Sequence, residues 1–228
     1  MGSPHDPWTP RPAGLVSDPE QPRHDPLAAL RQPNYALFAG GRLASATAMT
    51  MLNAAIAWQV YEISGSAFQL GMLGLARFFP SLGMSLVGGA VADSHDRKQI
   101  VQLAQLVPLA TSAMLYLATV QDFVELPLFY GLVLLLALAA AFENPARQAL
   151  VPQVVSREAF ANAIVVNSTI QSLGFVTGPA LGGLLIGFSG VDTAYVAHMA
   201  FIGTSVVAVS PPLPRAGVGP RGAGWPEA

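Results

Sequence analysis

Long apolar runs separated by short charged joins are the feature that most restricts how this sequence can fold. The run Gln99–Gln121 contains no charged residue, and neither does the run Ala159–Phe188. A helix needs about 20 apolar residues to cross the hydrocarbon of a bilayer, and in lipid an open chain satisfies its backbone hydrogen bonds only as a helix. The sequence therefore predicts a bundle of membrane-spanning helices.

Composition supports lipid as the solvent and removes several classes of function. The chain is 52% hydrophobic and 11% charged, whereas soluble domains carry about 25% charged residues. The sequence has no cluster of basic residues, which argues against nucleic acid as a partner. The chain has no Cys and four scattered His residues, so we expect no thiolate chemistry, no zinc site and no cofactor. The lipid bilayer is the partner that composition predicts.

Cutting the chain at its charges and helix breakers gives six candidate spans between residues 34 and 210. Before them, residues 1–33 are rich in Pro and charge, and after them residues 211–228 are rich in Pro and Gly, so we expect disordered tails. Glu143, Pro145 and Arg147 are expected to end the fourth span. The six spans are Tyr35–Tyr61, Phe68–Ala92, Gln99–Val120, Leu126–Phe142, a segment within Ala159–Phe188, and Thr193–Val209.

The distribution of charge between alternate joins predicts the orientation in the membrane. Cytoplasmic joins collect Lys and Arg. With six spans, nine of the eleven basic residues fall on one side, namely Arg11, Arg23, Arg31, Arg97, Lys98, Arg147, Arg157, Arg215 and Arg221. The other side holds Glu62, Asp122, Glu125 and Asp192. We therefore predict a multi-pass protein of the cell membrane with both termini in the cytoplasm.

Two short patterns occur at matching places in the chain. In the charged join Gly88–Gln99, Gly89, Asp93, Arg97 and Lys98 fit the signature G-x-L-x-D-R-x-G-R-K, whereas Val91, Ser94 and Asp96 depart from it. In span five, the ending G-x-x-x-G-P-x-x-G-G is matched by Gly174, Gly178, Pro179, Gly182 and Gly183, with Val165 where an upstream Gly is expected. Through these motifs Tyr35–Pro214 resembles the major facilitator superfamily, in particular its drug and siderophore exporters of the enterobactin-exporter type.

The resemblance implies a fold and a function. Carriers of this superfamily have two six-helix halves with the substrate path between them near the bilayer midplane. The chain would be the N-terminal half, an all-α bundle of six transmembrane helices. It would export a small organic solute by alternating access. Because the sequence ends soon after span six, it could be a fragment or truncated product, pair with a second half, or form a homodimer.

Two other functions are alternatives to export. One is a membrane protein that transports nothing, such as a remnant or an assembly partner. The second is an intramembrane enzyme, which we do not expect because the spans contain no catalytic cluster of His, Ser or carboxylate residues.

The resemblance also implies roles for the two motifs. Asp93 and Arg97 would make charge contacts at a cytoplasmic gate that break when the carrier opens inward, although the positive-inside rule alone explains these charges. Glu143 and Arg147 are four residues apart and suit an ion pair if the helix continues past Pro145. That pair would either join the same ionic network or be an ordinary surface pair. The glycines of span five recur every four residues, which suits close helix packing as well as the antiporter role that the family implies.

Polar residues inside the spans are the remaining candidates. Arg77 lies deep in span two, where a charge is costly, so it is predicted to face a cavity and contact an anionic or polar substrate. Arg42 is predicted to extend to an interface. Asn53, Gln59, Asn167 and Gln171 would either line a wet pathway or form interhelical hydrogen bonds. His198 would either take up a proton or be hydrogen-bonded.

Overall fold

The computed structural model describes residues 33–94, 97–154 and 160–209. This part of the chain consists of six helices and contains no strand, so the predicted all-α class is confirmed for the described residues. The helices are α1 (Pro33–Ser64), α2 (Ala67–Ser94), α3 (Arg97–Val120), α4 (Leu126–Val154), α5 (Phe160–Ser189) and α6 (Val191–Val209). Both predicted tails lie outside the described residues, apart from Pro33.

The joins α1–α2, α3–α4 and α5–α6 are short because single residues adopt left-handed backbone conformations. Gly65 has φ +60° and Gly190 has φ +94°. Their N–H groups donate to Tyr61 O at 2.8 Å and Ile186 O at 3.1 Å, which closes the preceding helix. Asp122 has φ 56°, and its N–H donates to Thr119 O at 3.2 Å at the end of α3. These joins lie within the turns predicted from the sequence.

Helix α4 is longer than predicted. Glu143, Pro145 and Arg147 were expected to end it, but the helix continues to Val154. Charged residues end an apolar run, yet a helix needs only backbone hydrogen bonds to continue beyond the apolar run. The extension brings the polar residues after Phe142 onto a regular helical surface.

The predicted loop between spans two and three is also mostly helical. Asp93 lies in the last turn of α2, and Arg97 begins α3, so only residues 95 and 96 separate the two helices. The charged join Gly88–Gln99 was predicted to connect the two helices, and this prediction was wrong in extent because most of the join is helical. The side chains of residues 81–98 lie outside the described part of the structure.

Packing places α1 at the centre of the bundle. It contacts α5 and α6 most extensively and also meets α2 and α4, while α3 packs against α4 and α6. The main core joins Leu52 and Ile56 of α1 with Leu115, Phe129 and Tyr195, all fully buried. A second cluster, which includes Tyr35 and Ile170, joins the first half of α1 to α5.

Within the described residues, four helices are long and apolar enough to cross a membrane. These segments are Gln99–Val120, Leu126–Ala149, Asn162–Ser189 and Val191–Ala208. Helix α1 is not among them. Its central position in the bundle explains why it carries polar residues such as Thr47 and Gln59, both of which are buried against other helices. The predicted count of six crossings remains a prediction.

Candidate functional site

A polar cavity opens between α1, α4 and α5. Its volume is about 560 Å³, which falls within the range of small-molecule pockets, roughly 300–1,000 Å³. Two arginines and several amides share it with two apolar side chains. The lining residues are Phe38 and Arg42 of α1, Asn144, Arg147 and Gln148 of α4, and Ile164, Asn167, Ser168 and Gln171 of α5.

Arg42 joins α1 to α5 within this cavity. Its Nε donates to Asn167 Oδ1 at 3.3 Å, and its Nη2 donates to Gln171 Oε1 at 3.0 Å. Asn167 and Gln171 are four residues apart, so one face of α5 presents both oxygens. Both acceptors are neutral amides, and they therefore satisfy hydrogen bonds of Arg42 without compensating its charge.

Arg147 occupies the α4 wall of the cavity and is 4% exposed. It forms an ion pair with Glu143 through Nη2, and its Nε donates to the same Glu143 oxygen at 3.1 Å. The pair has the i,i+4 spacing that the sequence predicted for a continuous helix. The remaining guanidinium nitrogen, Nη1, is buried without a hydrogen-bond partner among the described residues.

The cavity has an excess of positive charge. Among the described residues at this site, the two guanidinium groups of Arg42 and Arg147 are accompanied by one carboxylate, that of Glu143. Nothing among the described side chains could form a metal site, since no group of three or more His, Asp or Glu is present there.

Two of the predicted pathway residues, Asn167 and Gln171, lie in the cavity. Arg77 is half-buried on α2 and is not among the described residues that line it, and Asn53 is half-buried on α1. Gln59 is buried, where its Nε2 donates to Thr119 Oγ1 at 2.9 Å and its Oε1 accepts from Tyr195 at 2.6 Å. Gln59 thus forms the interhelical hydrogen bonds that were the alternative to a wet pathway. Arg42 lies at the cavity beside Asn167 and Gln171, where the sequence had favoured Arg77.

His198 is fully buried at the contact of α6 with α3. Its Nδ1 is hydrogen-bonded to Ser112 Oγ, which also donates to Pro108 O at 2.8 Å. Since a hydroxyl has one proton, the imidazole Nδ1–H is the donor in the Ser112 contact when that second bond is made. The other ring nitrogen, Nε2, has no partner among the described residues.

The glycine stripe of α5 lies against α1. A Cβ added to Gly174 would come within 2.7 Å of Ala46 Cβ, and one on Gly178 within 2.6 Å of Thr47 O. A Cβ on Gly182 would lie 3.1 Å from Met51 Cγ, whereas one on Gly183 would meet nothing within 4 Å. Helix α5 continues through Pro179, which is exposed. Close helix packing accounts for Gly174 and Gly178, and an antiporter role of this motif stays a prediction.

The gate motif extends from the end of α2 into the start of α3. The backbones of Gly89 and Asp93 belong to α2, and those of Arg97 and Lys98 to α3. Their side chains lie outside the described part of the chain, so the charge contacts implied by the resemblance stay a prediction.

Sequence reasoning did not identify three of the cavity residues, namely Asn144, Gln148 and Ser168. Asn144 and Gln148 share one face of α4 with Arg147 through i,i+3 and i,i+4 spacing. Because the helix was expected to end at Phe142, this periodicity was not applied to them. Ser168 follows Asn167 on α5, and the spacing of Asn167 and Gln171 is the signal that could have identified that face.

A family model described as "MFS_3: Transmembrane secretion effector" matches residues 24–211. The chain belongs to this family. It is a family of major facilitator transporters, and the predicted resemblance to drug and siderophore exporters is confirmed. The family is named for secretion and not for an enzymatic reaction.

Several proteins similar to this chain have names that refer to efflux and transport. Macrolide efflux protein A of Streptococcus pyogenes is 30% identical over 153 residues, which cover 66% of this chain and 37% of the relative. Multidrug efflux pump Tap of Mycolicibacterium fortuitum is 29% identical over 166 residues, covering 68% and 39%. Staphyloferrin A transporter of Staphylococcus aureus is 25% identical over 143 residues, covering 62% and 36%. The chain thus spans somewhat more than a third of these relatives. No solved structure matches it.

Proposed function

We propose that the chain supplies six membrane-crossing helices, with both termini in the cytoplasm, to a carrier that exports a small organic solute by alternating access. Family membership supports transport of a small solute across a membrane. The efflux names of the relatives support the outward direction.

The cavity between α1, α4 and α5 is the observation that carries this proposal. Charged groups are costly within a membrane and are usually found facing a cavity or a functional pathway. Here two arginines and the Asn167 and Gln171 amides meet around one cavity of about 560 Å³. A cavity lined by polar residues, among helices suited to lipid, is what a solute pathway requires.

Exposed polar residues of α5, at and beside the open side of the cavity, favour a partner unit. Ser168, Gln171 and Ser172 are exposed on a helix that is otherwise apolar enough to span a membrane. The two serine hydroxyls donate to backbone carbonyls of their own helix, but the exposed Gln171 amide is expensive to leave in lipid. We propose that a second six-helix unit covers this face and completes the pathway, with a second copy of this chain as the alternative.

Transport by reconstituted protein tests the proposal. The full chain, purified in detergent and incorporated into liposomes, would be assayed for movement of labelled candidate solutes under imposed proton or sodium gradients. Solutes named by the relatives, a macrolide and staphyloferrin A, belong in the panel. Protein-dependent flux that is reduced in Arg42→Gln supports a carrier, whereas absence of flux under every gradient, with and without a co-expressed second half, favours the non-transporting alternative.

Single-cysteine labelling tests the proposed orientation. The chain has no Cys, so one introduced residue gives a signal without background. Cys at Ser66 and at Asp122 should react with an impermeant maleimide from outside intact cells. Cys at Asp96 should react only after the cells are opened, and equal reactivity of Asp96→Cys and Asp122→Cys in intact cells would contradict six crossings.

The gate role of Asp93 has its own test. We expect Asp93→Asn to slow transport while membrane insertion stays normal, because the charge contact with Arg97 or its network would be lost. Asp122→Asn, on the opposite side, is the matched control. Normal flux in Asp93→Asn would remove the gate role.

A further inference from the structure

We propose that the cavity between α1, α4 and α5 is a binding site for an anionic oxygen group, a carboxylate or a phosphate, held between Arg42 and Arg147. The proposal rests on the proposed function only in identifying such a ligand as transported cargo. Binding itself depends on the geometry of the cavity.

The guanidinium of Arg147 provides the first observation. Its Nε and Nη2 are both committed to Glu143. Its Nη1 carries two further N–H groups, is buried, and has no partner among the described residues. Arg147 lines the cavity, and buried polar groups in proteins are nearly always hydrogen-bonded, so an unpartnered cationic donor on this residue indicates a ligand.

Arg42 provides the second observation, from the opposite wall. It uses Nε and Nη2 on the oxygens of Asn167 and Gln171. Its Nη1 is not used in these bonds. Because both amide oxygens point to Arg42, the amide nitrogens of Asn167 and Gln171 remain as donors. The site therefore presents donors from two helices.

The charge among the described residues favours an anion over water. Two guanidinium groups and one carboxylate, Glu143, leave a net positive charge among the described residues of the site. Water would satisfy the free donors but leave that charge uncompensated, whereas an oxyanion accepts several N–H bonds and neutralises the charge. Phe38 and Ile164 add apolar walls, which suit the hydrocarbon part of an amphipathic acid.

Protection of an introduced cysteine from alkylation measures occupancy directly. Ser168 lines the cavity, and Ser172 lies one turn further along the exposed side of the same helix, so Ser168→Cys is the probe and Ser172→Cys its matched control. Benzoate and its neutral isostere benzamide are the ligands, applied to the full chain in neutral detergent. We expect benzoate to slow alkylation of Ser168→Cys at least fivefold, with no effect of benzamide and none at Ser172→Cys.

Arginine variants link the protection to the two guanidinium groups. Arg42→Gln and Arg147→Gln, each in the Ser168→Cys background, should abolish protection, and Arg42→Lys should retain part of it. Gln at position 42 can still hydrogen-bond the α5 amides, so this variant keeps the test valid if Arg147→Gln does not fold. Inorganic phosphate should protect as benzoate does.

A lipid arm distinguishes a free solute from a lipid headgroup. The same probe is compared in phosphatidylcholine vesicles with and without phosphatidylglycerol and with no soluble ligand. Protection by phosphatidylglycerol alone supports the site and assigns it to a headgroup phosphate, whereas protection only by soluble anions assigns it to a solute. Equal effects of benzoate and benzamide, or protection that survives both arginine-to-glutamine changes, would overturn the proposal. Flux without protection by anions would reject the anion site but leave the carrier function standing. Protection by anions without flux would support the anion site and count against the carrier function.

Discussion

Thr50 on α1 donates a hydrogen bond from its Oγ1 to the carbonyl oxygen of Gly174 on α5, across 2.6 Å. The same hydroxyl lies 2.9 Å from Ala46 O on its own helix. One turn along α5, Thr177 Oγ1 lies 3.2 Å from Thr47 Oγ1. The two backbones approach closely enough for these contacts because α5 presents glycine there, so hydrogen bonds and close packing stabilise the same interface.

Replacing Gly178 by Ala should destabilise the bundle, because the new Cβ would lie within 2.6 Å of Thr47 O and 2.8 Å of Met51 N. Both are backbone atoms that cannot move independently of α1. We expect a loss of about 2–3 kcal/mol, at the upper end for overpacking. The measurement is thermal unfolding of purified protein in detergent.

Gly183→Ala is the matched control for Gly178→Ala. It lies in the same helix with open space around the added Cβ. Since Ala is about 0.8–1 kcal/mol more favourable than Gly within a helix, this variant should unfold at the same or a higher temperature. A similar loss of stability in both variants would show that α5 does not pack on α1 through this stripe.

The α1–α5 interface shows how far sequence reasoning reached. The fourfold spacing of Gly174, Gly178 and Gly182 predicted a small-residue face, and the structure presents that face to α1. Spacing could not identify the partner helix, since helix pairing depends on tertiary packing and not on local periodicity. The family motif also includes Gly183, which lies outside this spacing, and a Cβ added there would meet nothing within 4 Å.

Gln59 should contribute to stability through a three-helix hydrogen-bonded group with Thr119 and Tyr195. Gln59→Leu removes both bonds and leaves the buried Tyr195 hydroxyl without its acceptor, which costs about 1–3 kcal/mol. Adding Tyr195→Phe should recover part of the loss, since the unpaired hydroxyl is then absent. Additive effects of the two substitutions in thermal unfolding would contradict a direct bond.

Substitutions at Ser112 and His198 test whether the buried contact between α3 and α6 is structural. Within the described residues its one hydrogen-bond contact is with Ser112, and it is fully enclosed. We therefore expect Ser112→Ala to destabilise the protein by about 1 kcal/mol, with the exposed Ser172→Ala as a control. His198→Gln should leave the pH dependence of transport unchanged, and a shifted profile would instead support the prediction of a proton site.

The cavity residues show why a functional site is harder to predict than a helix. Arg77 and Arg42 are both single arginines in apolar runs, and depth along the helix favoured Arg77. Rotation of α1 in the bundle determines that Arg42 faces Asn167 and Gln171, and sequence position gives no measure of that rotation. The extension of α4 past Pro145 then adds Arg147 to the same cavity.

Glu143→Gln provides a test of the charge balance with two opposite expected effects. Arg147 is almost fully buried and Glu143 is its ion-pair partner, and removing one partner of a buried pair costs about 3–5 kcal/mol. Because Glu143 remains 13% exposed beside the cavity, we expect the lower value, about 3 kcal/mol. Thermal unfolding should therefore occur at a lower temperature than in the unsubstituted protein.

The same substitution should strengthen anion binding, because it removes the one carboxylate found among the described residues of the site and frees Nε and Nη2 of Arg147. At separations of several ångströms and an effective dielectric constant near 20, one charge changes affinity by about tenfold or more. Benzoate should thus protect Ser168→Cys at about one tenth of the concentration, and benzoate should also restore part of the lost thermal stability. Glu125→Gln, exposed just before the other end of α4, removes the same charge far from the cavity and should change neither quantity. Unchanged or weaker benzoate protection in Glu143→Gln, with Glu125→Gln behaving as the unsubstituted protein, would mean that the arginines hold the helices together without binding an anion.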